Sequence, residues 1–281
     1  FHTQYYDDIP GVSVDGSEVR KLWGESGVGK EQFYEMDADL HVMDPNFLTN
    51  RAKWEQGDVD EIASSVGPFF GNSIFSRSYP WHESYEYYSL YEAFEKLSQV
   101  FQQGERYEAF ASLHEEFQSA LSSVVPGESE RPAVAVTWAG GDKPEEFYPY
   151  VVSEGTSFKH LRDLQVSDAF ANSDVKDFHS ERGAIDYETL LEVDPEVLLV
   201  RGQEAKSAEE FQNTVVSFMQ DHGVASELQA VKNGDVYRAG PLYQGPISNL
   251  VVTERLAMDL YGAEKSLFDR QRVGDIVAGE F

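Results

Sequence analysis

The sequence predicts an α/β protein of two lobes with parallel sheets, joined by a long α-helix. Three observations predict it. A pattern occurs twice, about half a chain apart: Glu31-Gln32-Phe33-Tyr34-Glu35-Met36-Asp37-Ala38-Asp39-Leu40-His41-Val42-Met43, and Glu188-Thr189-Leu190-Leu191-Glu192-Val193-Asp194-Pro195-Glu196-Val197-Leu198-Leu199-Val200. Each copy reads as a short helix opened by a glutamate, a tight acidic turn and a buried apolar strand. A solenoid repeats every 20–50 residues or so, so this spacing instead describes two similar lobes, each presenting one glutamate at the same place. Second, strand and helix patterns alternate, as in parallel sheets covered on both faces. Third, Tyr107, Phe110, Ala111, His114, Phe117, Leu121 and Val124 fall at three- and four-residue spacing. They form one apolar stripe on a helix roughly 30 Å long, which suits a rigid spine between lobes.

Taken in order, the stretch up to Gly29 is turn-rich, with Pro10, Gly11, Gly16, Gly24 and Gly27. The first repeat copy ends in a strand at 40–43, followed by a helix at 58–66 and a strand end at 67–70. Residues 72–88 form a loop rich in aromatics. Helical periodicity runs from 91 to about 125 and is interrupted at Gly104, with Pro126 and Gly127 as its stop. A strand at 133–137 leads into a second aromatic loop, then a helix near 158–164 and the second repeat copy. Helices at 208–222 and 227–231, a strand at 235–239, a loop at 240–246 and a helix at 247–261 complete the pattern. The expected division is a first lobe at 1–104, a connecting helix at 105–126 and a second lobe at 127–281.

Fifty acidic residues against 22 basic ones give a net charge of −28. Such a field repels nucleic acid and anionic membranes. The acids are scattered along the whole chain, as in a solvated coat suited to high salt, so a halophilic source is expected. The absence of cysteine excludes thiolate metal sites, iron–sulfur clusters, cysteine nucleophiles and disulfides. No apolar run approaches the roughly 18 residues of a membrane span. Phe1 stands where an initiator Met would, so we expect a chain trimmed at its start.

Several motifs lead nowhere. Gly24 to Lys30 matches the opening of a phosphate-binding loop, but Glu31 stands where Ser or Thr should ligate magnesium. The seven histidines (His2, His41, His82, His114, His160, His179 and His222) show no i, i+4 pairing for zinc. His41 and His114 read as core-edge residues, and His82 as the one histidine near a ligand. There is no Gly-x-Ser-x-Gly elbow, and no spacing singles out a catalytic carboxylate pair. No catalytic, metal or cofactor site is expected.

The aromatic loops are more informative, because ligands of open α/β lobes sit outside the carboxyl ends of the strands. Tyr79, Trp81, Tyr85, Trp138, Tyr148 and Tyr243 cluster at predicted strand exits, which favours a cleft for a bulky, flat or partly apolar ligand. Arg77, Arg201 and Arg238 lie at or beside the same exits and could pair with an anionic ligand. A nucleotide- or metal-dependent α/β enzyme, or a ligand-sensing domain, is the alternative reading of such a cleft.

The stretch from Ile185 to Val200 resembles the iron-siderophore and cobalamin family of ABC-transporter solute-binding proteins (class III, with a helical backbone). So do Leu228 to Tyr237, the Tyr243-Gln244-Gly245-Pro246 run with its following helix, and, in the first half, Lys30 to Phe33 with Asp37 to Leu40. The resemblance covers roughly 20–70 and 130–265. The family's opening strand and first ligand loop are not recognisable before residue 20, and 79–91 matches none of its patterns. The resemblance implies two Rossmann-like lobes and an iron chelate or corrinoid held between them. It also implies delivery to an ABC permease dimer with its ATPase. The glutamates that dock to the permease would be Glu31 and Glu188. A monomeric, extracellular, cell-surface protein is implied, attached to the membrane only through a lipid anchor outside this chain.

Overall fold

A computed structural model describes residues 2–19, 22, 23, 27–77, 79, 81, 82, 84–181 and 183–280. Gly24, Glu25 and Ser26 of the phosphate-loop-like stretch, and the His179 side chain, lie outside them. In the first half, helices occupy Lys30–Met36 (α1), Asn46–Arg51 (α2), Gln56–Ser65 (α3), Leu90–Val100 (α4) and Gly104–Ser122 (α5). In the second half come Ala133–Trp138 (β1), Tyr148–Tyr150 (β2), Lys159–Asp163 (α6), Ser167–Asp168 (β3), Phe178–Glu181 (α7), Tyr187–Val193 (α8) and Val197–Arg201 (β4). Ala208–Phe211 (α9), Ser217–Asp221 (α10), Gln229–Asn233 (α11), Val236–Arg238 (β5), Pro246–Tyr261 (α12) and Arg270–Ala278 (α13) follow.

The two repeat copies fold alike. α1 and α8 each have seven residues, and each ends on an aspartate in the left-handed region: Asp37 at φ 45°, ψ 47°, and Asp194 at φ 43°, ψ 61°. Aspartate tolerates this conformation better than most side chains. Each aspartate N–H bonds the carbonyl four residues back, that of Phe33 or Leu190, and both of those side chains are buried. The chain then enters parallel pairing at the same point. His41 N–H donates to Pro68 O (2.9 Å), and Leu198 N–H donates to Asp235 O (3.0 Å). In the second copy this pairing is a full strand, β4. In the first, among the described residues, it is the single parallel bridge His41–Phe69.

The sheet runs β2-β1-β4-β5, with β3 also paired to β1. β1, β3, β4 and β5 are parallel where they pair, and β2 joins β1 antiparallel. β4 is buried along its whole length, because helices cover both faces. Its side chains alternate. Val197 and Leu199 join a core with Phe110, Phe117, Leu250 and Val273, while Leu198 and Val200 join Tyr187, Leu190 and Met219 on the other face. A separate, smaller core of Phe33, Leu48, Trp54, Val59 and Ile62 holds the first lobe.

α5 covers most of the stretch expected as the connecting helix, and its buried stripe of Phe110, Leu113, Phe117 and Leu121 packs into the second-half core with β1, β4, α12 and α13. The Ser89–Glu92 capping box fixes the start of α4: Ser89 Oγ accepts from Glu92 N, and the Glu92 carboxylate accepts from Ser89 N. Residues grouped with the first lobe on sequence behave differently at their beginning, since Tyr5 and Ile9 are buried in the core of the second half. The lobes also meet through backbone. Thr156 N–H donates to Ile74 O (2.8 Å), and both Ser157 N–H (3.3 Å) and Ser157 Oγ (2.7 Å) donate to Phe75 O. Gly155, at φ +111°, permits this crossing, since a Cβ there would lie 2.5 Å from Phe75 O.

Candidate functional site

Sheet register brings three of the predicted site residues into one row. Trp138 is the partner of Tyr148 on one side and of Arg201 on the other, at the carboxyl ends of β1 and β4. Cross-strand partners present their side chains to the same face. This face is that of Val134, Val136 and Leu199, so the row opens above the α5–α12 core, where a cavity of about 600 Å³ is lined by Trp138, Tyr148, Tyr150, Phe178, Arg201 and Glu204. Tyr148 packs on Trp138 (5.6 Å between ring centroids) and edge-on to Phe178 (4.9 Å).

Arg201 is the distinctive member. It is only 2% exposed, and its guanidinium carbon lies 4.4 Å from the Phe158 ring centroid and 5.1 Å from that of Tyr150. Nη2 donates to Ser157 O (2.5 Å), while Nε and Nη1 are buried and, among the described residues, without a hydrogen-bond partner. Burial lowers its pKa to about 10, so the group is still charged at neutral pH. A buried guanidinium with two unanswered donors is costly. In a cavity wall, that geometry suits an anionic ligand.

Arg238 is turned away from this row. It is in register with Val200, not Arg201, so it belongs to the opposite face, and it donates to Lys206 O. Tyr243 is 67% exposed; its ring meets Phe75 of the first lobe edge-on at 4.8 Å. A second cavity of about 370 Å³ lies there, lined by Met43, Asp44, Phe47, Phe75, Thr156 and Tyr243.

The aromatic loop of the first lobe forms a ring stack. Tyr79 and Trp81 lie parallel at 4.4 Å, Phe47 meets both edge-on at 5.2 Å, and Arg51 covers them. Tyr85 donates to Asp44 Oδ2 (2.6 Å), which also accepts from Ser73 Oγ (2.8 Å); it lines a third cavity of about 590 Å³ with Phe70, Leu90 and Phe94. Arg77 stacks on Tyr87 at 4.7 Å and lines a fourth space, of about 400 Å³, with Arg162 and Glu154. Trp138, Tyr148 and Arg201 therefore share one cavity, while Tyr79, Trp81, Tyr85 and Arg77 are held in the first lobe.

His82 is buried beside Tyr79 and Tyr85. His41 meets Phe33 edge-on at 4.9 Å at the core edge. His114 stacks on Tyr91 at 4.3 Å, and burial lowers its pKa to about 4. Lys30, the would-be phosphate lysine, is tied to Asp58 and Glu61, both at 2.8 Å. Glu31 and Glu188 are exposed, each at the second position of its helix, α1 or α8.

Sequence reasoning missed the polar network behind the cavity. Glu204 is 2% exposed. Its Oε1 accepts from Gly240 N (2.8 Å) and its Oε2 from Arg255 Nη1 (3.2 Å) and from Tyr5 Oη. Burial alone would push this carboxyl up, but Arg255 and the hydrogen bonds hold it below the usual range. Nearby, His160 sits between Ala239 O and Gln244 Nε2, both at 2.8 Å. The one sequence signal for Glu204 was its place three residues past a strand exit.

Comparison with known proteins agrees with this architecture. The chain is similar to FeuA of Bacillus subtilis, a triscatecholate siderophore binding protein solved with ferri-bacillibactin, at 16% identity over 89% of this chain and 80% of that chain, TM-score 0.60. It is similar to an ABC transporter substrate-binding protein from Listeria monocytogenes EGD-e at 14% identity, over 93% and 95% of the two chains, TM-score 0.58. It is also similar to the siderophore periplasmic binding protein from the fuscachelin gene cluster of Thermobifida fusca at 17% identity, over 88% and 83%, TM-score 0.58. At these identities the likeness is one of fold. A search of curated proteins finds no match. The family model described as "Periplasmic binding protein" matches residues 53–243, well over half of the sequence, and the chain belongs to that family.

Proposed function

We propose that this protein captures an anionic iron chelate, of the siderophore type, in the cavity between Trp138, Tyr148 and Arg201 and delivers it to an ABC importer. Membership of the family implies an extracellular or periplasmic binding protein rather than an enzyme. The observation that carries the ligand class is Arg201, a buried cation in the lining of an aromatic cavity whose Nε and Nη1 are unanswered among the described residues. Flat, electron-rich chelate arms suit stacking on Trp138 and Tyr148, and the anionic oxygens suit the guanidinium. The chelates named for the similar FeuA and fuscachelin-cluster proteins support that class.

Glu31 and Glu188 would meet basic groups of a two-fold permease dimer, whose ATPase drives release. Equivalent, exposed acids on two equivalent helices suit such symmetric recognition. Tyr79, Trp81, Tyr85, Arg77 and Tyr243 would then shape or close the cleft around the ligand. We place the protein at the cell surface as a lipid-anchored monomer in a saline medium. Calorimetric titration with the ferric complex of a hexadentate tris-catecholate, the ferric complex of a tris-hydroxamate, and cobalamin tests the reading. Saturable binding led by the tris-catecholate is expected, and binding of none of the three overturns it.

A further inference from the structure

The segment 2–12 lies against the second lobe, and its position has a chemical consequence for Arg201. Tyr5 and Ile9 are buried in the second-lobe core. Gln4 Nε2 donates to the Glu204 backbone carbonyl (2.5 Å), and Tyr5 Oη donates to the Glu204 carboxylate. Farther along, Pro10 O packs onto Gly274 inside α13, where a Cβ would fall 2.1 Å from that oxygen. Glycine costs about 1 kcal/mol in a helix interior, so this close approach is the physical use of the residue. His2, at the start of the described segment, lines the same cavity as Arg201.

Glu204 follows Arg201 by three residues, lines that cavity and interacts electrostatically with it. Two carboxylates act on the guanidinium, Glu204 and Asp177, and Glu204 is the one on the loop that follows β4. It does not pair with the guanidinium, because both of its oxygens are already taken by Tyr5, Gly240 and Arg255. We propose that Tyr5 is a positioning residue for ligand selection: together with Arg255 it holds Glu204 away from Arg201, so that the guanidinium stays free for an anionic chelate. The segment 2–12 thus forms part of the binding site, although it touches Arg201 only through Glu204.

This inference rests on the anionic-chelate reading above, and its test separates the two. Binding of the trianionic ferric tris-catecholate and of the uncharged ferric tris-hydroxamate is measured by titration on the intact chain, on Tyr5→Phe, on Glu204→Gln and on the double variant. Tyr5→Phe is expected to weaken the tris-catecholate about tenfold, the equivalent of about 1.4 kcal/mol, and to leave the tris-hydroxamate within about twofold. Adding Glu204→Gln to Tyr5→Phe should restore the tris-catecholate, because the carboxylate that Tyr5 no longer holds is then gone. Equal losses for both chelates would mean a merely structural Tyr5, and an unchanged tris-catecholate affinity would mean no role at all. Failure of Glu204→Gln to rescue also overturns the inference. If the unaltered chain binds neither chelate, the reading of the cavity fails and this inference falls with it. Gly274→Ala, which displaces Pro10 without touching the cavity, is expected to repeat the selective loss more weakly; no selective loss there contradicts the role assigned to the segment.

Discussion

Glu31 and Glu188 occupy the same position in two helices that are copies of each other, down to the left-handed aspartate that closes each one. Both carboxylates are exposed and neither is needed by a core. Reversing their charge should therefore leave folding and ligand affinity alone and act only on delivery. We expect Glu31→Lys with Glu188→Lys to keep the melting temperature within a few degrees and chelate affinity within about twofold, consistent with surface substitutions of about 0.5 kcal/mol or less. Uptake through the reconstituted importer should be lost. Undiminished uptake would remove both residues from docking.

Arg201 sets stability against function. Its guanidinium is buried with two unanswered donors, so Arg201→Met should stabilise the empty protein by about 1–3 kcal/mol, as apolar replacements of buried charges often do. The same change should weaken an anionic chelate by about ten- to a hundredfold, from the loss of roughly 1.5–3 kcal/mol of charge-assisted hydrogen bonding. Denaturant melts and titrations on one preparation check both. A destabilised variant with normal affinity would assign Arg201 to structure.

The backbone joint between the lobes depends on Gly155. With φ at +111° and Phe75 O 2.5 Å from a Cβ, Gly155→Ala is strained by conformation and by contact. It should cost about 2 kcal/mol or more and loosen the Thr156–Ile74 and Ser157–Phe75 hydrogen bonds. Hydrogen exchange should then rise at Thr156 and Ser157 before it rises in β4. Uniform protection across both regions would show that the lobes are held elsewhere.

His160 gives the protein a predictable acid sensitivity. Its Nε2–H donates to Ala239 O, and its Nδ1 accepts from Gln244 Nε2, so among the described residues a second proton finds no acceptor. Burial, with the charge of Arg201, lowers its pKa to about 3. The unfolded imidazole binds its proton near pH 6.5. Between these values the unfolded state holds more protons, so the stability this residue contributes is complete above pH 6.5 and lost as pH falls toward 3. The slope from this one group is about 1.4 kcal/mol per pH unit. His160→Gln should flatten the fall in unfolding free energy between pH 6 and 4 by about that much, and parallel curves for the two proteins would contradict the assignment.

Salt should matter as well. With a net charge of −28, self-repulsion acts over a Debye length of about 10 Å at 0.1 M salt and about 3 Å at 1 M. The melting temperature should climb steadily from 0.1 to 2 M potassium chloride, about as far as the screening does. A flat profile would mean that the acidic coat costs the fold little.

How much of this was legible in the sequence depended on how local each signal was. The two helix–turn–strand copies were, because apolar period, glutamate start and acidic turn all lie within thirteen consecutive residues. The strand at 40–43 was overread: its apolar run matches that of β4, but among the described residues only His41 pairs, with Phe69, and a residue pattern does not reveal how many neighbours a strand will find. Arg201 could be placed at a strand exit, and Arg238 looked equivalent. Register separates them, since Arg238 pairs with Val200, one residue earlier and on the other face. The Tyr5–Glu204–Arg255 network was invisible, because its members come from three distant segments with no shared pattern.

The most direct measurement is the tryptophan emission change on adding the ferric tris-catecholate to the unaltered chain and to Trp138→Phe. Trp138 is 41% exposed on the rim of the Arg201 cavity, and the other three tryptophans belong to the first lobe's side of the chain. Saturable quenching is expected in the unaltered chain, most of it gone in Trp138→Phe while calorimetric binding persists. Quenching that survives the substitution intact, or no saturation in either protein, would contradict a ligand seated between Trp138 and Arg201.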